Sequence, residues 1–416
     1  MRLSTWLDTW KYPSILLISV GVTNIGAWIY LIALNLMLLD MTSSPLAISA
    51  LYVIKPLATL CTNLWSGSLI DRMNKRRLMV ALDLIRAALI VFMPLCTSMW
   101  QVFVLVFLVS AAGSIFGPAS MAYVTKLIPG DQRPRYNSIQ SFIHSGAFLT
   151  GPAAAGLLFL VGPPSAAIYV TAVAMLLSGL VLMLLPNVEG TPQGGEQAAK
   201  LSWSVVKTDL RLVIAFGRKQ VYVMTIWFLY SLILVVIASA MDSLEVAFSK
   251  QVLGLTDSEY GLLVSTAGAG IMIGAFINTL VVKRAAPTFM VGIGTLGVCL
   301  GYLIYAFSHS FMAAAVGFVV LAFWLAFVNS GFATFYQANV PVEVMGRVGS
   351  LLGLIEAALA MLATLLFGAA AQWLSIPLVV MTGAVGMAVF GIMLAVCCLY
   401  GGRGQTSGSP AHLKDV

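Results

Sequence analysis

Gly67-Ser68-Leu69-Ile70-Asp71-Arg72-Met73-Asn74-Lys75-Arg76-Arg77 lies between two long apolar runs. Four cations and one acid crowd a connection too short to fold by itself. Short loops rich in Lys and Arg mark the cytoplasmic side of a membrane protein, so this stretch sets an orientation as well as a turn. Its surroundings are those of a membrane chain. Of the 416 residues, 60% are hydrophobic and only 9% are charged, against about a quarter charged in ordinary soluble domains. Lipid must cover most of the surface. A spanning helix takes about 20 apolar residues, which leaves room for about twelve spans.

Hydropathy and turn residues place those spans at 12–39, 45–70, 77–99, 101–127, 136–161 and 164–186, then 220–241, 258–282, 287–308, 310–338, 346–373 and 376–400. Ser43-Ser44-Pro45, Gly162-Pro163-Pro164 and Ser308-His309-Ser310 are typical breaks. The first apolar run is too long for a signal core and no small-residue cleavage site follows it, so no cleaved leader is expected. The predicted organisation is a six-helix bundle over 1–186, a cytoplasmic linker over 187–219, a second bundle over 220–400 and a cytoplasmic tail over 401–416. Within the linker, Val206, Leu210, Val213 and Phe216 recur at helical spacing, which predicts a short helix on the inner membrane surface.

Positive charge fixes the orientation. With the amino terminus inside, nineteen Lys and Arg residues fall in inner segments and only Lys250 in an outer loop, leaving Lys55 and Arg86 within spans. Both termini are then cytoplasmic, in the cell (inner) membrane. The same scatter of cations over many short loops leaves no phosphate-tracking face, so the net charge of +7 does not indicate a nucleic-acid partner. Cys61, Cys96, Cys299, Cys397 and Cys398 lie in apolar segments without ligand spacing, and no metal or other cofactor is expected. Absence of a phosphate loop, of H-E-x-x-H and of G-x-S-x-G argues against an enzyme.

The chain also repeats itself. At a shift of 212 residues, Pro129, Asp131, Arg135 and Ser138 align with Pro341, Glu343, Arg347 and Ser350. Paired six-helix halves of this kind build one class of secondary transporter.

These features resemble the major facilitator superfamily. The opening stretch is similar to that family's signature loop G-x-L-x-D-R-x-G-R-K/R, with Gly67, Asp71, Arg72, Lys75 and Arg76 at its positions. Asn74 stands where glycine is usual, a mild departure if Asn adopts the left-handed backbone. The resemblance implies that this acid and these cations latch the two halves in an outward-open state. A topogenic loop without a gating role is the alternative. Gly151-Pro152-Ala153-Ala154-Ala155-Gly156, after Gly146, resembles the antiporter motif G-P-x-x-G-G and implies export by exchange. The small pair Gly270 and Gly274 in the eighth span offers a packing face for it. Asp71-Arg72, Asp83-Leu84-Ile85-Arg86-Ala87 and Gly346-Arg347-Val348 together resemble the drug:proton antiporter branch that includes macrolide efflux and siderophore export proteins. At the repeat position of Asp71-Arg72 the second half carries Lys283-Arg284, so the signature acid is missing there.

Ionisable residues inside spans are costly and therefore candidates for function. Lys55 and Glu356 lie at similar depth in the second and eleventh spans, which meet across the halves in the family fold. They are expected to approach one another, either as a breakable pair tied to protonation of Glu356 or as a permanent structural pair. His144 is the repeat partner of Glu356 and serves as a relay or as a packing residue. Asp83 and Arg86 share a helix face and form a local pair. Asn24, Tyr30 and Asn35 in the first span, with Asn329, Tyr336 and Gln337 in the tenth, are cavity candidates. The expected fold is all-α, with twelve transmembrane helices in two pseudo-symmetric bundles, acting as a monomer. The expected activity is proton-coupled efflux of an amphipathic small molecule. Specific export of a metabolite such as a siderophore is the alternative within transport, and a non-transporting sensor the alternative outside it.

Overall fold

A computed structural model describes residues 3–129, 132–188, 211, 215–281, 285–340 and 342–400. Among the described residues every regular element is helical. The first half contributes α1 (Leu3–Thr42), α2 (Pro45–Arg72), α3 (Lys75–Phe92), α4 (Met99–Leu127), α5 (Arg133–Leu158) and α6 (Pro164–Leu182). The second half contributes α7 (Val221–Val236), α8 (Asp257–Val281), α9 (Pro287–Ala306), α10 (Phe311–Asn339), α11 (Val342–Trp373) and α12 (Ile376–Tyr400). Among the described residues, eleven helical stretches are long and apolar enough to cross a membrane. The remaining helix, α5, has 26 residues but carries Gln140, Ser141, His144, Ser145 and Thr150 on its way.

Local chemistry sets the breaks. Ser44 accepts from the backbone N–H of Ala47 and Pro45 opens α2 at its first position, where its missing N–H costs nothing. Ser98 and Gln101 form a reciprocal capping box at the start of α4. Pro13, Pro56, Pro118 and Pro152 sit inside helices. Neighbouring helices and local adjustment re-satisfy the freed backbone groups in such spans.

The seventh span differs from the sequence expectation of 220–241. The chain continues through a π-helical stretch at Ile237–Asp242, a single α turn at Glu245–Ala247 and a second π stretch at Phe248–Val252. Asp242, Ser243 and Glu245 read as an exit into water because they are polar. In the structure Asp242 and Ser243 bond to neighbours through their side chains, and Glu245 through its backbone carbonyl. The Tyr302 hydroxyl donates to Asp242 Oδ1 at 3.2 Å, the Ser243 hydroxyl folds back on the carbonyl of Ser239, and the Tyr305 hydroxyl donates to the carbonyl of Glu245 at 3.3 Å.

The chain divides into two compact units. The first comprises Met1–Lys200 with Ser249–Gly268, and the second Leu201–Phe248 with Ala269–Val416. In the first, α1 packs on α5 and α6, α3 on α4 and α6, and α2 on α4. In the second, α7 packs on α11 and α12, and α9 on α10 and α12. Each pairing in the second unit is one from the first with six added to both helix numbers, the internal signature of a pseudo-symmetric pair of bundles. One apolar core gathers Trp10, Ile70, Met79, Tyr123, Tyr136 and Leu182, where the start of α3 meets the ends of α2, α4 and α6. Residues 215–219 are helical. The remainder of the expected linker helix and the tail 401–416 lie outside the described residues, as do Lys283 and Arg284.

Candidate functional site

In the first unit, polar chemistry is concentrated on α3. Asp83 is fully buried. Its Oδ1 takes a bond from Arg86 Nη1 at 3.2 Å, one turn along the same helix. Its Oδ2 takes a bond from the Ser178 hydroxyl on α6 at 2.6 Å, and Ser178 in turn meets Ser19 of α1 at 2.7 Å. Three helices are thus tied to one carboxylate. The expected local pair is present, with a serine relay added behind it.

Arg86 extends from this anchor to the wall of a cavity of about 670 Å³. Thr23 and Asn24 of α1, Phe116 of α4, and Gln140 and His144 of α5 line the same space. The Phe116 ring lies 5.9 Å from the guanidinium carbon. Tyr30 has a buried hydroxyl without a bonding partner. Asn35 lies elsewhere: it is 1% exposed and donates through Nδ2 to the Tyr52 hydroxyl at 3.2 Å, joining α1 to α2.

In the second unit, Glu356 is half-buried on α11 and its Oε2 accepts from the Ser231 hydroxyl of α7 at 2.6 Å. The adjacent Tyr230 donates to Asn329 Oδ1 on α10 at 3.2 Å and stacks on Phe332, with ring centroids 3.8 Å apart and planes inclined by 19°. Phe332 stacks in turn near Tyr336 at 6.4 Å. A carboxylate therefore neighbours a ladder of three aromatic rings. Gln337 is exposed on the same helix. Lys55 is exposed on α2 in the first unit.

The opening loop is a tight junction between α2 and α3. Gly67, Asp71 and Arg72 belong to α2 by backbone, and their side chains lie outside the described residues. Lys75 is 7% exposed at the start of α3. Asn74 departs from the expectation: its backbone is extended, at φ −64° and ψ 115°, rather than left-handed. Its side chain caps α3 by accepting from Arg77 N at 3.0 Å and donates to Asn187 Oδ1 at 2.7 Å. Arg76 donates to the carbonyl of Met183. Asn replaces Gly here because a cap is required, not a left-handed residue.

The glycine motif of α5 also finds a different partner from the one expected. A Cβ on Gly156 would stand 2.8 Å from the Ser258 carbonyl, and one on Gly261 would stand 2.7 Å from Gly156 itself. Gly268 packs against Leu149, whose carbonyl accepts from Ser265 Oγ at 2.7 Å. The α8 face toward α5 is therefore Gly261, Ser265 and Gly268. Gly270 instead meets Val319 of α10, with a Cβ there falling 2.6 Å from a carbonyl, and Gly274 meets Phe323. Gly261 and Gly270 are separated by about two and a half turns, which puts them on opposite faces. A Cβ on Gly151 would stand 2.5 Å from Trp28 Cβ of α1, while Gly146 has open space around it. Pro152 lies between these close approaches.

The family model for the Major Facilitator Superfamily matches residues 16–364. The chain belongs to that superfamily. It is a multi-pass membrane transporter. It is 25% identical over 385 residues to the MFS-type transporter YfiS of Bacillus subtilis (strain 168), covering 87% of each chain. It is 23% identical over 304 residues to macrolide efflux protein A of Enterococcus faecalis, covering 70% of this chain and 90% of that one. The crystal structure of the nucleoside transporter NupG superposes with a TM-score of 0.74 at 14% identity, over 94% of this chain and 99% of the other. That last likeness speaks to the fold alone.

Sequence reasoning missed Ser19, Thr23, Phe116, Gln140 and Ser178 in the first unit and Tyr230, Ser231 and Phe332 in the second. A signal existed for the serines. Small hydroxyl side chains in apolar helices commonly bond across to a neighbouring helix, and each of these marks such a crossing.

Proposed function

We propose that this transporter exports amphipathic organic compounds in exchange for protons by alternating access, from the inner membrane with both termini cytoplasmic. The observation that carries the reading is Glu356: a carboxylate in an apolar helix, half-buried, held by one serine hydroxyl and set beside stacked aromatic rings. Ionisable groups within membrane spans mark ion and proton pathways. The rings of Tyr230, Phe332 and Tyr336 supply an apolar, polarizable surface suited to a mixed apolar and polar cargo. The glycine motif of α5 and the likeness to macrolide efflux protein A support the direction of transport.

Reconstituted into proteoliposomes, wild-type protein is expected to move a lipophilic dye or a macrolide when a proton gradient is imposed. Glu356→Gln is expected to lose gradient-driven movement by at least about tenfold while retaining gradient-independent exchange of the same compound. Full proton-driven transport by Glu356→Gln would remove the proton role from this residue.

A further inference from the structure

We propose that the cavity of the first unit binds the carboxylate, or an equivalent anionic oxygen group, of an amphipathic organic acid, with Arg86 as its cationic anchor. Thr23 Oγ1, Asn24 Nδ2 and Arg86 Nε are each buried without a hydrogen-bond partner. All three belong to residues that line one cavity. The amide nitrogen and the guanidinium nitrogen can only donate, and the hydroxyl can donate as well. All three can donate, and none of them is met by an acceptor.

Asp83 does not supply it. Its two oxygens are committed to Arg86 Nη1 and to Ser178. That arrangement fixes the guanidinium while leaving Nε free, so the donor is held in position before any cargo arrives. Charge then narrows the choice. Among the described residues, the lining includes the Arg86 guanidinium and the His144 imidazole, and no acidic side chain. A cationic cargo would find no carboxylate among the described residues of the wall to accept from it. A neutral carbonyl would accept from these donors, but an ionised oxygen group accepts about twice as strongly, and the planar guanidinium favours such partners by geometry even while one of its nitrogens holds Asp83.

The rest of the wall fits the body of such a molecule. Phe116 lies beside the guanidinium, and Val20, Ala27 and Val124 extend the apolar surface. A volume of about 670 Å³ lies within the range of small-molecule sites. This inference rests on the transport reading only in treating the cavity as a cargo site, and it narrows the cargo to acids.

Equilibrium binding to the purified protein in nanodiscs, with no gradient present, tests it separately from proton-driven transport. Three matched probes are titrated calorimetrically: 1-naphthylacetate, its carboxamide and 1-naphthylethylammonium. Wild type is expected to bind the carboxylate at least about tenfold tighter than the carboxamide, and the ammonium more weakly still. Asp83→Asn/Arg86→Gln removes both charges together and so leaves no lone buried ion. It is expected to bring the carboxylate down to the affinity of the carboxamide. Asn24→Leu keeps the ion pair intact and is expected to weaken both probes several-fold. It serves if the double variant does not fold. Equal affinity for all three probes, no measurable carboxylate binding by folded wild type, or an undiminished carboxylate preference in the double variant overturns the proposal. A carboxylate preference in a protein that fails to couple transport to protons would leave this site standing and remove the exchange reading.

Discussion

Asp83 shows how one side chain can organise a membrane bundle. A fully buried carboxylate needs compensation on both oxygens, and it receives a guanidinium from its own helix and a hydroxyl from α6. Breaking a buried pair by removing one partner costs roughly 3–5 kcal/mol, whereas removing both charges together is far milder. Arg86→Gln and Asp83→Asn alone are therefore expected to lower the thermal unfolding midpoint in detergent, and the double variant to recover most of the loss. Additive losses in the double variant would mean that the two residues do not act as a pair. The pair was readable from sequence, because spacing of three on a helix decides proximity without any tertiary information. Ser178 and Ser19 were not. Their part depends on how α1 and α6 are rotated about their axes, which hydropathy leaves open. Asn74 shows a related blindness: the sequence shows that glycine is absent, but only the backbone angles show that a cap has taken its place.

At the scale of the helix, close packing replaces the hydrophobic effect as the source of cohesion, since lipid is as apolar as the interface itself. Contacts between α5 and α8 depend on residues with no side chain to spare. Gly156→Val would drive new atoms into the backbone at Ser258 and Leu262. Overpacking of this kind costs typically 1–3 kcal/mol, so a lower unfolding midpoint and loss of transport are expected together. Gly146→Ala, five positions before Gly151 in the same helix, meets nothing within 4 Å and is expected to leave both measurements near wild type. A matching loss from Gly146→Ala would show that α5 tolerates no added bulk anywhere, and the close approach would lose its special status. The sequence presented small residues on two faces of α8, Gly261 with Ser265 and Gly268, and Gly270 with Gly274. Helical spacing shows that these are different faces. It does not show which of them meets α5, because that depends on where the neighbours stand.

For the whole molecule, the sequence was legible where many residues vote together. Twelve hydropathy maxima, a polar interval and a 212-residue repeat describe two bundles, and the six-helix offset in packing partners is their structural counterpart. The proposed orientation rests on a collective signal too, nineteen cations assigned to inner segments against Lys250 alone assigned outside, rather than on any contact. Lys250 does find a partner, in an ion pair with Asp257 at the start of α8. Cysteine chemistry tests the orientation directly. Cys96 lies between α3 and α4, on the side assigned to the exterior, whereas Arg77 lies at the start of α3, on the side assigned to the cytoplasm. A variant retaining Cys96 as its only cysteine is expected to react with a membrane-impermeant maleimide in intact cells. A variant with Arg77→Cys as its only cysteine is expected to react only after permeabilisation. Adding one cysteine to a loop with three other cations leaves the topogenic signal largely in place, so the second variant reports orientation without creating a new one. The reverse labelling pattern would invert every inner and outer assignment, and with it the direction in which a proton gradient could drive export through Glu356.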